Sequence, residues 1–173
     1  MNKIDESEFR EFVTTRMDAW RRAAYLLCRD WHGADDLVGI MVGRLYRHWS
    51  LASRADSLDA YVHGILAHAF LDERRRPWRR ETAEAEPRYD VTNPDVSMYA
   101  IEDRSAMLAL VQQLPARRRA VIVLRFYCDL SVAQTASALG LSEGTVKSQC
   151  ARGLETLRQL MVTQANHVVE EWI

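Results

Sequence analysis

Four polar side chains near the end of the chain are suited to contact with a nucleic acid. They lie close together in the sequence and are Lys147, Ser148, Gln149 and Arg152. Cations and hydroxyl groups bind phosphate oxygens, glutamine pairs with the edge of adenine, and arginine or lysine pairs with the edge of guanine. These residues therefore predict a DNA-reading surface, provided that the chain presents them on one side of a helix.

The segment before these residues has the pattern of a short helix followed by a tight turn. Its inner positions recur at i, i+3, i+4 and i+7, the spacing of one helical stripe. They are Val132, Thr135, Ala136 and Leu139. Gly140 follows, and a helix can end there because glycine adopts a left-handed conformation at little cost. The pattern predicts a helix that stops at Gly140.

A second helix is predicted directly after this turn. Ser142 is a suitable N-cap, and a buried stripe is formed by Val146, Cys150, Leu154 and Leu157. The polar residues introduced above fall on the opposite face, which predicts a helix-turn-helix with a recognition helix and makes DNA the leading partner. A purely structural three-helix domain is the weaker alternative, because the cap, the turn and the basic face are all in register.

Helical periodicity also dominates the rest of the chain, whereas the alternation of a strand is nearly absent. A chain of 173 residues, 48% of them hydrophobic, has enough apolar surface for one ordinary core or two small ones. We predict an all-α fold with two small helical domains, at residues 5–80 and 103–160. A flexible acidic linker at 81–102 joins them. A partly apolar tail at 161–173 is expected to pack back on the second domain or to bind a partner.

The charge is unevenly distributed, although the net charge is only −1. Residues 81–102 contain one basic residue against six acidic ones, and residues 103–160 contain eight basic residues against four acidic ones. A basic C-terminal domain behind an acidic connector is a poor match for a generic enzyme. This charge distribution fits a protein whose domains contact nucleic acid. The acidic linker would then be repelled by nucleic acid or would imitate its negative charge.

No cluster of residues predicts catalysis or a metal site. Cys28 and His32 stand at i and i+4, but two ligands do not make a zinc site. The chain also lacks a glycine-rich phosphate loop, a serine elbow and an HExxH sequence. We therefore expect no enzymatic activity, no metal and no cofactor. Three unpaired cysteines, no signal peptide and no long apolar run favour a cytoplasmic location.

Several segments resemble one protein family when they are taken in order. They occupy residues 34–38, 44–46, 60–62, 71–76, 114–121, 124–126 and 130–152. Each is weak alone, but their order and spacing across most of the chain resemble the extracytoplasmic-function sigma factors of bacterial RNA polymerase. The style is that of the actinobacterial, sigma-E-like members.

This resemblance implies a transcription initiation factor that binds core RNA polymerase, through its beta and beta-prime subunits, and directs it to specific promoters. The first domain of such proteins binds the polymerase and opens the −10 element, and the second reads the −35 element as duplex DNA. The linker threads through the polymerase near the RNA path, although a merely disordered acidic tether is an equal alternative here. The resemblance also implies an anti-sigma factor, often membrane-anchored, and association with the nucleoid when active.

Three groups of contact residues follow from the resemblance. The polymerase-binding residues are Asp35, Asp36, Leu37, Val38, Met41 and Arg44. The −10 residues are Ser53, Arg54, Tyr61, His68, Asp72, Arg75 and Arg76. The −35 residues are Arg117, Arg118, Arg119, Arg125, Ser142, Thr145, Lys147, Ser148, Gln149 and Arg152. His68 departs from the family, which more often has asparagine there. The alternative for Asp35 and Asp36 is that they only cap a helix.

Two other interpretations of the sequence remain. A helix-turn-helix regulator without sigma activity would have a similar recognition helix, but it leaves residues 1–80 unexplained, because no alternating strand–helix pattern occurs there. A small helical enzyme or scaffold with accidental similarity is disfavoured by the missing catalytic constellation.

The recognition helix yields a first prediction. We expect Arg152→Ala to weaken promoter binding by about 1–3 kcal/mol, because an arginine at a base edge or phosphate is lost. The measurement is equilibrium binding to a cognate duplex. Unchanged affinity would remove Arg152 from the reading surface.

Overall fold

The structure, a computed structural model, describes residues 3–75 and 106–170, with side chains for residues 6–75 and 106–163. Every regular element in these ranges is a helix, and the prediction of an all-α fold is confirmed. None of the described helices combines the length and the apolar character needed to cross a bilayer. The linker predicted at 81–102 lies outside the described residues.

Eight helices are described. In the N-terminal part they are α1 (Lys3–Cys28), α2 (Trp31–Arg47), the single turn α3 (Trp49–Ala52) and α4 (Leu58–Arg75). In the C-terminal part they are α5 (106–112), α6 (Ala116–Ile122), which continues into a wider π-helical turn (Val123–Tyr127), α7 (Val132–Leu139) and α8 (Glu143–Glu170).

The core of the N-terminal domain lies between α1, α2 and α4. Its largest fully buried side chains include Trp20, Leu27, Met41, Leu45 and Phe70, each at most 1% exposed. Full burial of one large apolar side chain contributes about 1.5–3 kcal/mol. This cluster therefore fixes α2 and α4 against α1, and the polar faces of these two helices are left for other contacts.

The start of α2 is set by an aspartate that precedes the pair Asp35 and Asp36. The carboxylate of Asp30 accepts a hydrogen bond from the Gly33 N–H at 2.7 Å, and the helix begins at Trp31. A side-chain acceptor for a free N–H of the first turn is what fixes a helix start. Asp35 and Asp36 lie one turn inside α2, so the alternative that they only cap the helix is wrong.

The helix-turn-helix has the ends that its residue types predict. Gly140 ends α7 with a left-handed φ of +63°, and Ser142 Oγ accepts a hydrogen bond from the Thr145 N–H at 3.1 Å at the start of α8. Both predictions are confirmed. The structure adds a capping box at α7, in which Ser131 and Gln134 bond each other's backbone N–H. The Ser-x-x-Gln spacing carries that signal in the sequence.

The two domains pack against each other. The contacts join α4 to α7 and the end of α1 to α6. At the first of these contacts, Gly64 of α4 is buried against Ala138 of α7. At the second, Arg119 Nη1 donates a hydrogen bond to the Leu27 carbonyl at 2.7 Å. The sequence predicted two domains on a tether and gave no sign of this contact.

The left-handed residue of the turn yields the second prediction. We expect Gly140→Ala to lower the free energy of unfolding by about 1–2 kcal/mol, because any residue with a Cβ is strained at this φ. The control is Gly43→Ala in α2, where a Cβ meets nothing within 4 Å and where alanine favours a helix by about 1 kcal/mol. Urea unfolding followed by circular dichroism measures both. A Gly140→Ala midpoint at or above that of the original chain would contradict this account of the turn.

Candidate nucleic-acid interface

The solvent-facing side of α8 carries the polar residues that are predicted to read DNA. Lys147, Ser148 and Arg152 are exposed, whereas Val146 is fully buried and Leu157 is only 8% exposed. A helix with one buried and one polar face is held to its domain by the first and can enter a DNA groove with the second. The structure therefore brings these three polar side chains onto one accessible face.

Gln149 borders this face and is positioned by α6. Its side chain is half-buried, and its Oε1 accepts a hydrogen bond from Arg118 Nε at 3.4 Å. Arg118 also donates from Nη1 to Thr156 Oγ1 at 3.3 Å. Arg118 thus links two helices and orients the Gln149 amide, which is a different role from the backbone contact predicted for it.

Both predicted hydroxyl residues lie at the N-terminal end of α8. Ser142 is exposed and Thr145 is half-buried, and their hydroxyl oxygens lie 2.9 Å apart. A helix N-terminus attracts anions through its partial positive charge. Glu143 stands in the same turn, and its negative charge opposes a phosphate there. The hydroxyls are suited to donate hydrogen bonds to phosphate oxygens, at a helix end whose attraction for anions Glu143 reduces.

The four arginines assigned to the −35 DNA backbone occupy different environments. Arg117 is exposed, Arg118 and Arg125 are half-buried, and Arg119 is buried. Arg125 donates a hydrogen bond from Nη1 to the Leu130 carbonyl. Arg117 is therefore the member of this group whose charge is openly available to a phosphate.

Arg119 is a buried structural cation, so its assignment to the −35 element is corrected. Its side chain is 5% exposed and donates to the Leu27 carbonyl at 2.7 Å, to Gln112 Oε1 at 2.6 Å and to the Leu114 carbonyl at 3.0 Å. Burial, with a smaller contribution from the nearby charge of Arg74, lowers the pKa of the guanidinium to about 10. The guanidinium therefore remains charged at neutral pH. Its hydrogen bonds go to oxygens within the protein and not to a DNA phosphate.

The apolar residues assigned to polymerase docking are also corrected. Leu37 and Val38 are 3% exposed and Met41 is 0% exposed, because α2 packs against both α1 and α4. The family resemblance assigned this face of the helix to the polymerase. Two neighbouring helices of the same domain cover it instead, and these three side chains are not available to a partner in this conformation.

The charged residues of the docking group lie on the outer side of α2. Asp35 and Asp36 are exposed, and Arg44 is partly exposed. Arg21 donates to both carboxylate oxygens of Asp35, at 2.5 and 3.1 Å, and this bond holds the pKa of Asp35 below its usual range. Arg44 Nη2 lies 3.6 Å from Asp72 Oδ2 on α4. Exposed ion pairs contribute only about 0–1 kcal/mol, so a partner can replace them at little cost.

The residues assigned to the −10 strand share one side of α4. Their spacing of seven, four and three positions follows a single helical stripe. They are Tyr61, His68, Asp72 and Arg75, of which the first is half-buried and the others are exposed. Aromatic and cationic groups along one stripe suit base stacking and phosphate contact with single-stranded DNA. Ser53 and Arg54 are exposed before α4, and Arg76 lies outside the described residues.

The described residues contain no group of three or more side chains that could hold a metal ion. Burial raises the pKa of the Cys28 thiol to about 11 and that of the Cys128 thiol to about 12. Because only the thiolate is a good nucleophile, burial lowers the nucleophilicity of both cysteines by keeping their thiols protonated.

Comparisons with known proteins cover most of the chain. Residues 12–80 match sigma-70 region 2, and residues 104–157 match sigma-70 region 4. The RNA polymerase sigma-E factor of Streptomyces coelicolor is 33% identical, over 91% of this chain and 88% of that protein. The ECF RNA polymerase sigma factor SigM of Mycobacterium tuberculosis is 31% identical, over 81% of this chain and 70% of that protein.

Among the solved structures that match this fold, two cover about nine tenths of the chain. The sigma factor RpoE of Bartonella quintana, in complex with the anti-sigma factor NepR, has a TM-score of 0.71 at 21% identity and covers 89% of this chain and 96% of that chain. CnrH in complex with the cytosolic domain of CnrY has a TM-score of 0.63 at 19% identity and covers 91% of this chain and 90% of that chain. At these identities the likeness supports the helical fold.

The contrast between two neighbouring arginines yields the third prediction. We expect Arg117→Ala to weaken binding to a mixed-sequence duplex and to reduce the salt slope of binding by about 1, with stability changed by less than about 0.5 kcal/mol. We expect Arg119→Ala to lower the free energy of unfolding by about 1.5–3 kcal/mol, because bonds from a charged group to buried carbonyls are lost.

Fluorescence anisotropy over a range of salt concentrations and chemical unfolding measure the two effects. An Arg119→Ala variant of unchanged stability, or an Arg117→Ala variant whose salt slope matches that of the original chain, would contradict the assigned roles.

Proposed function

The chain belongs to the extracytoplasmic-function sigma factors of the sigma-70 family, and we propose that it directs RNA polymerase to promoters through three separate surfaces. The observation that carries this proposal is the accessible polar face of α8, held by a helix-turn-helix with a left-handed glycine at its turn. The match of residues 12–80 to region 2 accounts for the part of the chain that a simple helix-turn-helix regulator leaves unexplained.

The −35 surface consists of α8 and its N-terminal turn. Lys147, Ser148 and Arg152 are exposed to the major groove of a docked duplex, and Gln149 reads a base edge in an orientation set by Arg118. Glutamine discriminates adenine and arginine discriminates guanine, each by about 1–3 kcal/mol. Arg117 contacts phosphate from the preceding helix. Ser142 and Thr145 complete the backbone contacts.

The −10 surface is the outer stripe of α4 together with the loop before it. Tyr61 and His68 stack on unpaired bases, and Arg75 follows the phosphates of the strand. Ser53 and Arg54 extend the surface toward the loop. A stacking platform of this kind favours the separated strands over the duplex, and this difference in affinity supplies the free energy for opening the element.

The polymerase-docking surface is the outer side of α2. It contains Asp35, Asp36 and Arg44, together with Tyr46, which is 49% exposed. Aromatic residues are enriched at protein interfaces, and the carboxylates match a basic partner surface. We assign this side of the helix to the beta-prime subunit of core RNA polymerase. The solved structure of RpoE in complex with the anti-sigma factor NepR supports an anti-sigma factor as a further partner of this chain.

Run-off transcription provides the fourth prediction. With purified bacterial core polymerase, this protein and a pool of genomic promoter fragments, we expect discrete initiation sites that share an upstream and a downstream motif. Core polymerase alone is the control and should give none of these sites. DNA binding without core-dependent initiation would instead favour the helix-turn-helix regulator.

A further inference from the structure

Arg118 of α6 lies against α8 next to the DNA-reading face. Where the two helices cross, α8 has Gly153, and a Cβ there would lie 2.8 Å from Ile122 Cδ1 and 3.2 Å from Arg118 Cγ. Because glycine has no side chain, the aliphatic stem of Arg118 can lie against the backbone of α8. The guanidinium is thereby placed between two side chains of α8, one turn before Gly153 and one turn after it.

Both of these side chains accept hydrogen bonds from Arg118. Nε donates to Gln149 Oε1 at 3.4 Å, and Nη1 donates to Thr156 Oγ1 at 3.3 Å. Thr156 donates its own hydroxyl hydrogen to the Arg152 carbonyl at 2.8 Å, so the lone pairs of its oxygen remain for the guanidinium. Arg118 is consequently held at two points along α8.

The contact with Arg118 decides which atom of the Gln149 amide faces the DNA. A guanidinium has five N–H donors and no acceptor, whereas an amide has an oxygen that accepts and a nitrogen that donates. An amide rotated by half a turn would place its own N–H groups against those of Arg118. The Gln149 oxygen is therefore fixed toward α6, and the nitrogen is the amide atom that is left for a base pair.

The atoms that an amide offers determine which base it matches in the major groove. Adenine is read by both amide atoms side by side, with the oxygen accepting from N6 and the nitrogen donating to N7. Guanine presents two acceptors, O6 and N7, and cytosine presents only the N4 donor. An amide that offers only its N–H groups therefore matches guanine best, forms a single bond with adenine or thymine, and has no partner on cytosine.

We propose that Arg118 is a positioning residue that makes Gln149 a hydrogen-bond donor to guanine in the −35 element, a specificity that rests on the proposed function. A glutamine whose amide is free prefers adenine. Gln149 departs from this preference because Arg118 holds its oxygen. Arg118 contacts no base and acts through the amide, so the two residues form one reading unit built from α6 and α8.

A promoter library tests this unit and provides the fifth prediction. A promoter found by run-off transcription is randomised in its upstream element, barcoded in its transcript, and transcribed by core polymerase with the full-length chain. Gln149→Ala identifies the base pair that Gln149 reads, since the preference there is lost. At that position we expect the original chain to favour guanine. We expect Arg118→Met, which keeps an unbranched stem beside Gly153 but removes the donors, to raise the ratio of adenine to guanine at least about fivefold.

The matched control is Arg117→Met, which removes the same charge at the neighbouring exposed position. We expect this variant to lower initiation from all sequences to a similar extent and to leave the base ratios unchanged. A purely structural role for Arg118 predicts the same uniform loss. An original chain that favours adenine at this position, or an Arg118→Met variant whose ratio matches that of the original chain, overturns the proposal.

Gln149→Glu provides a second test, which also decides the matter if circular dichroism shows that Arg118→Met is unfolded. A carboxylate has only acceptors, so one oxygen stays with Arg118 and the other replaces the outward nitrogen. We expect the preference at the same base pair to change from guanine to cytosine, whose N4 donates. A retained guanine preference overturns the proposal.

The same experiment separates this proposal from the proposed function. An original chain that never initiates with core polymerase refutes the sigma assignment, and the −35 specificity falls with it. An initiating chain whose base ratios do not respond to Arg118→Met or Gln149→Glu refutes only the positioning role of Arg118.

Discussion

The buried guanidinium of Arg119 is the interaction on which the arrangement of the two domains depends. It bonds the Leu27 carbonyl of α1 as well as Gln112 and Leu114 before α6, and it lies 5.8 Å from the ring centroid of Phe70 on α4. A charge taken out of water is costly unless it is paired with acceptors. The acceptors of the two terminal nitrogens come from both domains, whereas the buried Nε has no acceptor among the described residues. One side chain therefore ties the end of α1, the turn before α6 and the face of α4 together.

The local structure of the recognition element was predictable because its signals are local. The left-handed Gly140 and the Ser142 cap depend on bonds within a few residues, and the two faces of α8 follow from the helical period alone. The −35 surface of the proposed function inherits its position from these short-range rules. For the same reason, the all-α class was evident from the sequence. The start of α2 was harder to predict, because Asp30, Asp35 and Asp36 are all possible caps and only Asp30 caps the helix.

The missed features all depend on which helices become neighbours. Leu37 and Met41 are buried because α2 lies between two helices, and a sequence pattern does not state how many neighbours a helix has. Arg119 stands in a run of three arginines that resembles a phosphate-binding patch. Arg119 lies three residues before Ile122 and four residues before Val123, both of which are buried. This spacing is the only sign in the sequence that Arg119 lies on the inner face of its helix. The Gly64–Ala138 contact joins segments far apart in the chain, and neither residue type marks it.

The central claim is that separate surfaces of this chain read the two promoter elements. A library of promoter variants, transcribed with core polymerase and counted by sequencing the products, tests it directly. Gln149→Ala should change base preference only in the upstream element, and His68→Asn only in the downstream element. Variants that shift preference in the same element, or that leave both preferences as they are in the original chain, would contradict the assignment of α8 and α4 to different parts of the promoter.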